Sequence, residues 1–396
     1  MASFLTTPPL AGPSPDQPAI LVFSNDLEDE RFQKRLQTFV DAGFSVRWLA
    51  YDRGRNRGPA SAVLQSFPGQ VLGKTRDRRY LQRIYSMALS VAKLLTPRFL
   101  SGSDRVIYCI NLDNLLVAAL VASIRRLKAR IVYEVADIQP SLRRCGLVGK
   151  ALRFLERWGL RRTELLVYTS EAFMSQFLVK MQGYRGPALL LENKIHPPPA
   201  GVRTPRQRAP DPDGHIVIGF FGQLKCRISL EIIRDLATAF PKKLSFRLCG
   251  YPNHLVRGLF DAVLSDAPNV AYFGPYRYPS ELAEIYSSVD LCWGFDFCDP
   301  EGNSKWCLAN RLYEAGYYGV PILVEDDTAG AGYVRGLGSG WCFKEPIGES
   351  LRTFFSQVAA AEIKAKKDHT AGLDRNLFLL DSDLPRIRER LLELCR

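Results

Sequence analysis

Short apolar runs alternate with stretches of helical periodicity along most of this chain, and no other feature limits its possible folds as much. Alternating strands and helices form parallel βαβ units, in which each helix crosses the sheet to reach the next strand. The first half is predicted to contain strands at 19–24, 44–50, 105–110, 130–135, 165–170 and 188–192, with helices at 29–42, 115–126 and 149–162.

The second half repeats this style after residues 196–214, which have six prolines and no periodicity, as is typical of a linker. Strands are predicted at 215–222, 244–250, 269–274, 289–294 and 321–325, with helices at 229–240, 280–288 and 310–318. We therefore predict an α/β architecture of two Rossmann-like domains, 19–195 and 215–383, that face a central cleft. The proline-rich residues 1–18 are predicted to be a disordered tail.

Length and segment composition exclude several classes of protein. The 396 residues exceed the size of one ordinary domain, and the longest apolar runs, such as 115–124, are too short to span a bilayer. The N-terminus lacks the basic region and apolar core of a signal peptide. We expect a cytoplasmic protein.

The nine cysteines do not form a recognisable site in the sequence. Their number is odd, no C-x-x-C pair occurs, and most lie in apolar segments, which favours reduced core thiols over disulfides or zinc ligands. The four histidines likewise show no metal-ligand spacing.

Positive charge is concentrated in the first half. Residues 1–194 hold 29 Lys and Arg against 16 Asp and Glu, whereas the remainder holds 24 and 25. An apolar helical stripe that starts at Leu81 lies beside a basic end with Arg76, Arg78, Arg79 and Arg83, an arrangement that suits an anionic membrane surface or a lipid-borne acceptor. The alternatives are a core-packed helix with a solvated basic end, or a nucleic-acid surface, although no RNP, KH or helix-turn-helix signature is present.

A phosphate site is indicated after the strand at 215–222. Gly222 would let the chain turn, and Lys225 and Arg227 follow before a helix that is expected to begin near Ser229. A glycine turn, two cations and a helix N-terminus suit a pyrophosphate, but a simple turn with solvated basic residues explains the segment equally well. The dinucleotide and P-loop glycine patterns are absent from this segment.

The densest polar segment runs from 299 to 324. Asn310 and Glu314 share one face of a predicted helix, with Arg311 beside them, and a carboxylate there can accept hydrogen bonds from a ribose diol. An ordinary capping carboxylate would account for Glu314, but it would not account for the polar loop at 302–305.

This segment resembles a known family. Glu314, Ala315, Gly319 and Pro321 match the E-A-x-x-x-G-x-P helix of GT-B fold glycosyltransferases, where the glutamate binds the ribose of a sugar nucleotide. The runs at 133–138, 190–194, 274–279, 303–306 and 310–314 look like bacterial exopolysaccharide glycosyltransferases of the succinoglycan glucosyltransferase type. The resemblance implies a UDP-glucose donor, and a final helix at 384–396 that returns to the first domain.

One position departs from the family pattern. The first glutamate of the E-x7-E motif is replaced by Trp306, so Asn303 and Ser304 become the candidates for contact with the donor sugar. Asp296 and Asp299 lack the D-x-D spacing that holds a divalent cation in many glycosyltransferases. We expect no metal and no cofactor, and the resemblance favours an inverting reaction.

An inverting transfer needs a base that takes the proton of the acceptor hydroxyl. Asp137 and Glu134 follow or end one strand of the first domain, and Asp113 follows another. Asp137 is preferred and Asp113 is second, because Glu134 lies within or beside its strand. Asp113 could instead cap the helix at 115–126, and Asp137 could be a turn residue before Pro140.

The sequence thus predicts a metal-independent hexosyltransferase that acts at the inner membrane face. Its donor is expected to be a UDP-sugar and its acceptor a lipid-linked saccharide. A nucleic-acid-binding protein and a catalytically inactive sugar-nucleotide sensor remain the alternatives.

Overall fold

The computed structural model describes residues 18–54, 62–75, 80–96, 105–197, 207–209, 211 and 213–396. The chain forms two compact units: one includes residues up to Thr169, Phe173–Leu191 and Asp383–Arg396, and the other comprises Ser170–Ala172 and Glu192–Ser382. The predicted disordered tail lies outside the described residues except for Pro18, as does most of 198–212 within the predicted linker. Arg208 of that linker is described, and its Nε lies 3.1 Å from Asp290 Oδ2 in the second unit.

The first unit contains a seven-stranded parallel sheet with the order β3-β2-β1-β4-β5-β6-β7. Its strands are β1 Ala19–Ser24, β2 Ser45–Asp52, β3 Gly69–Lys74, β4 Val106–Ile110, β5 Arg130–Val135, β6 Leu165–Tyr168 and β7 Ala188–Leu190. Its helices are α1 Glu30–Asp41, α2 Ala62–Ser66, α3 Tyr80–Leu94, α4 Leu112–Arg125, α5 Pro140–Arg143 and α6 Leu147–Leu160, with a π-helix at Phe173–Val179.

The second unit contains a six-stranded parallel sheet with the order β10-β9-β8-β11-β12-β13. Its strands are β8 Ile216–Leu224, β9 Leu244–Pro252, β10 Val270–Tyr272, β11 Leu291–Trp293, β12 Ile322–Glu325 and β13 Gly340–Phe343. Its helices are α7 Arg227–Ala239, α8 Arg257–Asp266, α9 Leu282–Ser287, α10 Asn303–Trp306, α11 Asn310–Tyr317, α12 Ala329–Leu337, α13 Ile347–Gln357 and α14 Ala360–Ala371. Short 3₁₀ turns occupy His254–Val256, Arg375–Phe378 and Leu380–Asp383, and the last helix, α15 Leu384–Cys395, belongs to the first unit.

The prediction of an α/β fold with two parallel sheets is confirmed. Successive residues of a strand point to opposite faces of its sheet, and in β8 Phe220 joins one apolar cluster while Phe221 joins the other. Both faces of the second sheet are therefore buried, which explains why its central strands are apolar throughout. Trp293 of β11 is fully buried and packs against Phe220 and Phe246.

Among the helices in the described part of the chain, none combines the length and the apolar character that crossing a membrane requires.

Candidate functional site

Two neighbouring strands of the second sheet bring a cation and a carboxylate together at their carboxyl ends. Lys225 follows β8 and Asp296 follows β11, and Lys225 Nζ lies 3.7 Å from Asp296 Oδ2. Burial raises the pKa of Asp296, but the Lys225 ammonium and the backbone N–H of Cys298 outweigh it and hold that pKa below its ordinary value. Lys225 was predicted to lie at this edge, whereas Asp296 had been considered only for its spacing from Asp299.

The turn predicted at Gly222 lies later in the chain, because β8 continues to Leu224. Gly222 has a φ of +99°, and Gly250 of the adjacent strand β9 lies opposite it. A Cβ atom on Gly250 would come within 1.8 Å of the Gly222 carbonyl oxygen. Gly222 and Gly250 therefore permit a close approach of two backbones at the edge of the site rather than the turn itself.

Helix α7 begins at Arg227, two residues before Ser229, near which its start was predicted. Its N-cap is Cys226, whose Sγ accepts a hydrogen bond from Ser229 N at 3.4 Å. Arg227 is 74% exposed, and its Nε lies 2.8 Å from Glu231 Oε1 one turn along the helix. The two predicted phosphate-binding cations thus differ, since Lys225 is held at the sheet edge and Arg227 is solvated in the first helical turn.

The segment that was predicted to be a polar loop forms the short helix α10, so that prediction is wrong. Gly302 is the N-cap of this helix, and Asp299 lies three residues before it: Asp299 Oδ2 accepts from Asn303 N at 2.9 Å, and Asp299 N–H donates to Ser304 Oγ at 2.8 Å. These two hydrogen bonds tie Asn303 and Ser304, in the first turn of α10, to the loop that precedes the helix. Asp299 was not assigned this role from the sequence.

Helix α11 carries the predicted polar trio. Asn310 Oδ1 accepts from Asn193 Nδ2 at 2.6 Å. Arg311 donates from Nη1 to the Trp293 carbonyl oxygen at 2.7 Å, and its guanidinium carbon lies 5.2 Å from the ring centroid of Phe220. Arg311 is therefore tied to the end of β11.

Glu314 is 2% exposed, and its Oε2 accepts a hydrogen bond from Tyr286 Oη at 2.8 Å. Burial, together with the negative charge of Glu314, raises the pKa of Tyr286 well above its ordinary value, so this hydroxyl stays a donor. The Tyr286 ring is itself fixed by stacking on Tyr318 and by edge contact with Phe221. Tyr286 thus orients the carboxylate, and no local pattern in the sequence marks it for that role.

In the first unit, Asp137 and Asp113 follow the adjacent strands β5 and β4. Asp137 Oδ2 lies 3.3 Å from Arg31 Nη1, and the Asp137 side chain is 49% exposed. Asp113 forms an ion pair with Arg83. Helix α4 begins at Leu112, so Asp113 lies in its first turn and is not its N-cap.

Glu134 lies within β5 and is fully buried. Its carboxylate accepts from Arg35 Nη2 at 2.9 Å, from Arg35 Nε at 3.1 Å and from Tyr108 Oη at 2.7 Å. Arg35 also donates to the Leu191 carbonyl oxygen at 3.0 Å. This network ties β5 to α1, β4 and the end of β7, so the role of Glu134 is structural.

Of the four arginines predicted to face a membrane, Arg76, Arg78 and Arg79 lie outside the described residues. Arg83 is described and points to Asp113. The apolar stripe of α3 is exposed at Ile84 and Tyr85, while its other face buries Ser86, Ser90 and Leu94. The alternative of a core-packed apolar stripe is wrong for these two residues.

Comparison with known proteins gives a family and a fold, although no family model matches the chain. The chain is 33% identical over 324 residues to the succinoglycan biosynthesis protein ExoL of Rhizobium meliloti strain 1021. The aligned region covers 81% of this chain and 80% of that protein. The sucrose-phosphate synthase of Thermosynechococcus elongatus superposes with a TM-score of 0.70 at 12% identity, over 96% of this chain and 99% of that one.

Two further solved structures share the architecture. Anabaena Alr3699/HepE in complex with UDP-glucose gives a TM-score of 0.68 at 16% identity, over 94% of this chain and 99% of that one. WaaG, a glycosyltransferase involved in lipopolysaccharide biosynthesis, gives 0.63 at 14% identity, over 93% and 99%. These likenesses confirm that the fold is GT-B.

Proposed function

Because this chain belongs to the GT-B glycosyltransferase family of the succinoglycan biosynthesis protein ExoL, we propose that it transfers glucose from UDP-glucose to a lipid-linked saccharide in exopolysaccharide biosynthesis. The observation that carries the proposal is the buried carboxylate of Glu314 on α11, which a hydrogen bond from Tyr286 orients. The choice of UDP-glucose is supported by the Alr3699/HepE structures, which hold UDP, UDP with glucose, or UDP-glucose.

In the proposed donor complex, Glu314 accepts hydrogen bonds from the ribose hydroxyls. A carboxylate has about four acceptor positions, so the bond from Tyr286 orients Glu314 without exhausting that capacity. Lys225 and Arg227 bind the diphosphate, and Arg311 is a further cation behind them. Gly222 allows the diphosphate to approach the backbone closely. Asn303, Ser304 and Asn310 are assigned to the sugar side of the donor.

The cations of this site supply the positive charge that the leaving diphosphate requires, so the proposed reaction needs no divalent metal or other cofactor. Lys225 is the main contributor, because Asp296 holds it at the sheet edge. The ammonium and the helix N-terminus at Arg227 both stabilise negative charge that develops on the diphosphate oxygens.

The proposed chemistry is a single in-line displacement with inversion. The acceptor hydroxyl oxygen bonds to the anomeric carbon, its proton passes to the base, and UDP leaves with the electrons of the broken bond. Both carboxylates pair with an arginine, but the Asp137 side chain is 49% exposed against 20% for Asp113, so Asp137 is the proposed base. Asp113 stays the second candidate.

Calorimetric titration of UDP, GDP, ADP and their glucose conjugates tests the donor assignment. Wild type should bind UDP and UDP-glucose in preference to the others. Glu314→Gln keeps an acceptor for Tyr286 but removes the charge, and it should weaken UDP binding about tenfold or more, since a hydrogen bond to a charged group contributes ~1.5–3 kcal/mol. The exposed Glu362→Gln in α14 is the matched control and should bind UDP normally. Unchanged affinity in Glu314→Gln would refute the role of Glu314.

We also propose that the first unit binds the anionic inner face of the membrane through α3, α4 and α6. Helix α4 packs against both of the others. All three expose large apolar side chains, namely Ile84, Tyr85 and Leu89 of α3, Leu120 and Ile124 of α4, and Leu147, Val148, Phe154 and Leu155 of α6. The exposed cations Arg144 and Lys150 flank Leu147 and Val148. Exposed apolar side chains with cations beside them are the composition that an anionic lipid interface favours.

Sedimentation with phosphatidylglycerol vesicles tests this surface. Leu147→Glu with Val148→Glu should lower vesicle affinity by about tenfold or more, because both apolar insertion and charge attraction are lost. Leu255→Glu in the second unit is the matched control, since Leu255 is also exposed and apolar. Equal binding by both variants would refute the surface while leaving the donor assignment intact.

A further inference from the structure

Two cysteines that are 72 positions apart in the chain converge at the edge of the proposed donor site. Cys226 is the N-cap of α7 and is buried, whereas Cys298 is exposed on the loop that follows β11. Their Sγ atoms and a carboxylate oxygen of Asp296 all lie within 4.8 Å of one another. The expectation of buried core thiols is therefore wrong for Cys298, as it is for the exposed Cys145.

The sulfur of Cys226 is surrounded by hydrogen-bond donors. Ser229 N and Phe297 N each point to Cys226 Sγ at 3.4 Å, from the first turn of α7 and from the loop after β11. The hydrogen bond from the Cys298 thiol, with those N–H groups, outweighs burial and lowers the pKa of the Cys226 thiol to about 6. The same hydrogen bond raises the pKa of Cys298. These contacts favour the thiolate form of Cys226 beside the thiol of Cys298, which is the arrangement of a reactive cysteine with its resolving partner.

The ligand set of two sulfurs and one carboxylate also suits a thiophilic cation, but its surroundings oppose one. Lys225 Nζ lies 3.7 Å from Asp296 Oδ2, so the carboxylate already has a cationic partner. The N-terminus of α7 adds further positive potential at Cys226. Positive surroundings favour a thiolate and repel a metal ion, and they direct the chemistry of the pair to the sulfurs.

We propose that Cys226 and Cys298 form a redox modification site, at which a peroxide oxidises the pair to a disulfide. The Cys226 thiolate attacks one peroxide oxygen, the O–O bond breaks, and hydroxide leaves as Cys226 becomes a sulfenic acid. The Cys298 sulfur then bonds to the Cys226 sulfur, the S–O bond breaks, and the thiol proton leaves with the hydroxyl as water. The two thiols lose two electrons in total, and the peroxide gains them.

The disulfide has a consequence that rests on the proposed donor function. Cys226 stands between Lys225 and Arg227, and its sulfur caps α7 through Ser229 N. A bond to Cys298 ties this loop to the loop after β11 and removes the thiolate acceptor from the cap. Drawing the two free sulfurs to bonding distance shifts the loop that carries Lys225 and weakens the cap of α7, so oxidation weakens UDP binding about fivefold or more, the scale of a lost helix cap.

The test treats the purified, reduced full chain with one equivalent of hydrogen peroxide and maps disulfides by peptide mass spectrometry. The expected product links the Cys226 and Cys298 peptides, and dithiothreitol reverses it. Cys298→Ser and Cys226→Ser should both abolish the link, and serine at 226 preserves the N-cap. Cys145→Ser, which removes another exposed thiol, is the control and should still form it. A link between other cysteines, or none in wild type, overturns the proposal.

Titration of UDP into the same samples separates the two hypotheses. Wild type should lose UDP affinity on oxidation and recover it on reduction, while Cys298→Ser keeps its affinity in peroxide. A disulfide that forms without any change in UDP affinity overturns the regulatory consequence. Reduced wild type that fails to bind UDP refutes the donor assignment instead, and the peptide map is unaffected by that result.

Discussion

The Arg35–Glu134 pair in the first unit allows a quantitative prediction. Both side chains are completely buried, and Arg35 donates to both oxygens of Glu134 while Tyr108 donates to one. Burial alone would lower the pKa of Arg35, but the Glu134 carboxylate outweighs it and raises that pKa, so the guanidinium stays charged. Glu134→Gln keeps the shape of the side chain but leaves that charge without its counter-ion.

Removal of one partner from a buried ion pair costs ~3–5 kcal/mol. A change of 1 kcal/mol shifts the melting temperature of a unit of this size by about 2–4 °C. The melting temperature of the first unit is therefore expected to be about 6–20 °C lower in Glu134→Gln than in wild type. Arg35→Met combined with Glu134→Leu removes both charges, and it should recover most of this loss because no charge is then stranded.

Thermal unfolding followed by circular dichroism measures these differences. Glu164→Gln is the matched control, since Glu164 pairs with Arg130 at 3.1 Å but both side chains are about half exposed. An exposed pair contributes ~0–1 kcal/mol, so this control should melt close to wild type. Melting of Glu134→Gln within 2 °C of wild type, or a double variant as unstable as the single one, would refute the reasoning.

Two further predictions concern catalysis and pH. Asp137→Asn should abolish glucosyl transfer while UDP affinity measured by calorimetry stays unchanged, and Asp113→Asn is expected to retain activity. Normal turnover in Asp137→Asn would instead indicate that Asp113 is the base. Burial raises the pKa of Glu156 to about 7, despite hydrogen bonds from Tyr133 and Gln182. The folded state therefore holds a proton that the unfolded chain releases near its ordinary pKa of 4.5, and the free energy of unfolding should fall as pH rises from about 4.5 to 7. Urea unfolding should show this decline in wild type and a flatter profile in Glu156→Gln; parallel profiles would contradict it.

The central strands could be predicted from the sequence because they are buried on both faces. β1 and β8 read as continuous apolar runs, and the alternation with helices then determines a parallel sheet. The two strands that were missed, β3 and β13, lie at the edges of their sheets. An edge strand has one neighbour and is partly exposed, so β3, with its two glycines, shows no apolar run.

The candidate site was predictable only where its residues are local in the chain. Lys225 follows a strand and Glu314 lies in a recognisable helix, so both could be named from their own segments. Their partners come from other segments: Asp296 follows a different strand, and Tyr286 is 28 residues before the carboxylate that it orients. Such partnerships depend on which strands are neighbours, and sequence periodicity does not specify strand order.

Helix α3 shows why an apolar stripe alone does not identify a buried face. Its buried side holds two serines beside Leu94: Ser90 accepts a hydrogen bond from Tyr51 Oη at 2.7 Å, and Ser86 donates to the Lys74 carbonyl oxygen at 3.2 Å. Because these hydroxyls are satisfied, their burial carries little penalty, and small serines allow α3 to lie close to β2 and β3. The apolar side is then left exposed at Ile84 and Tyr85. An apolar helix face can pack against a protein core or against lipid. Here the face with the serines packs against the core, which is the physical basis for expecting lipid at the apolar face.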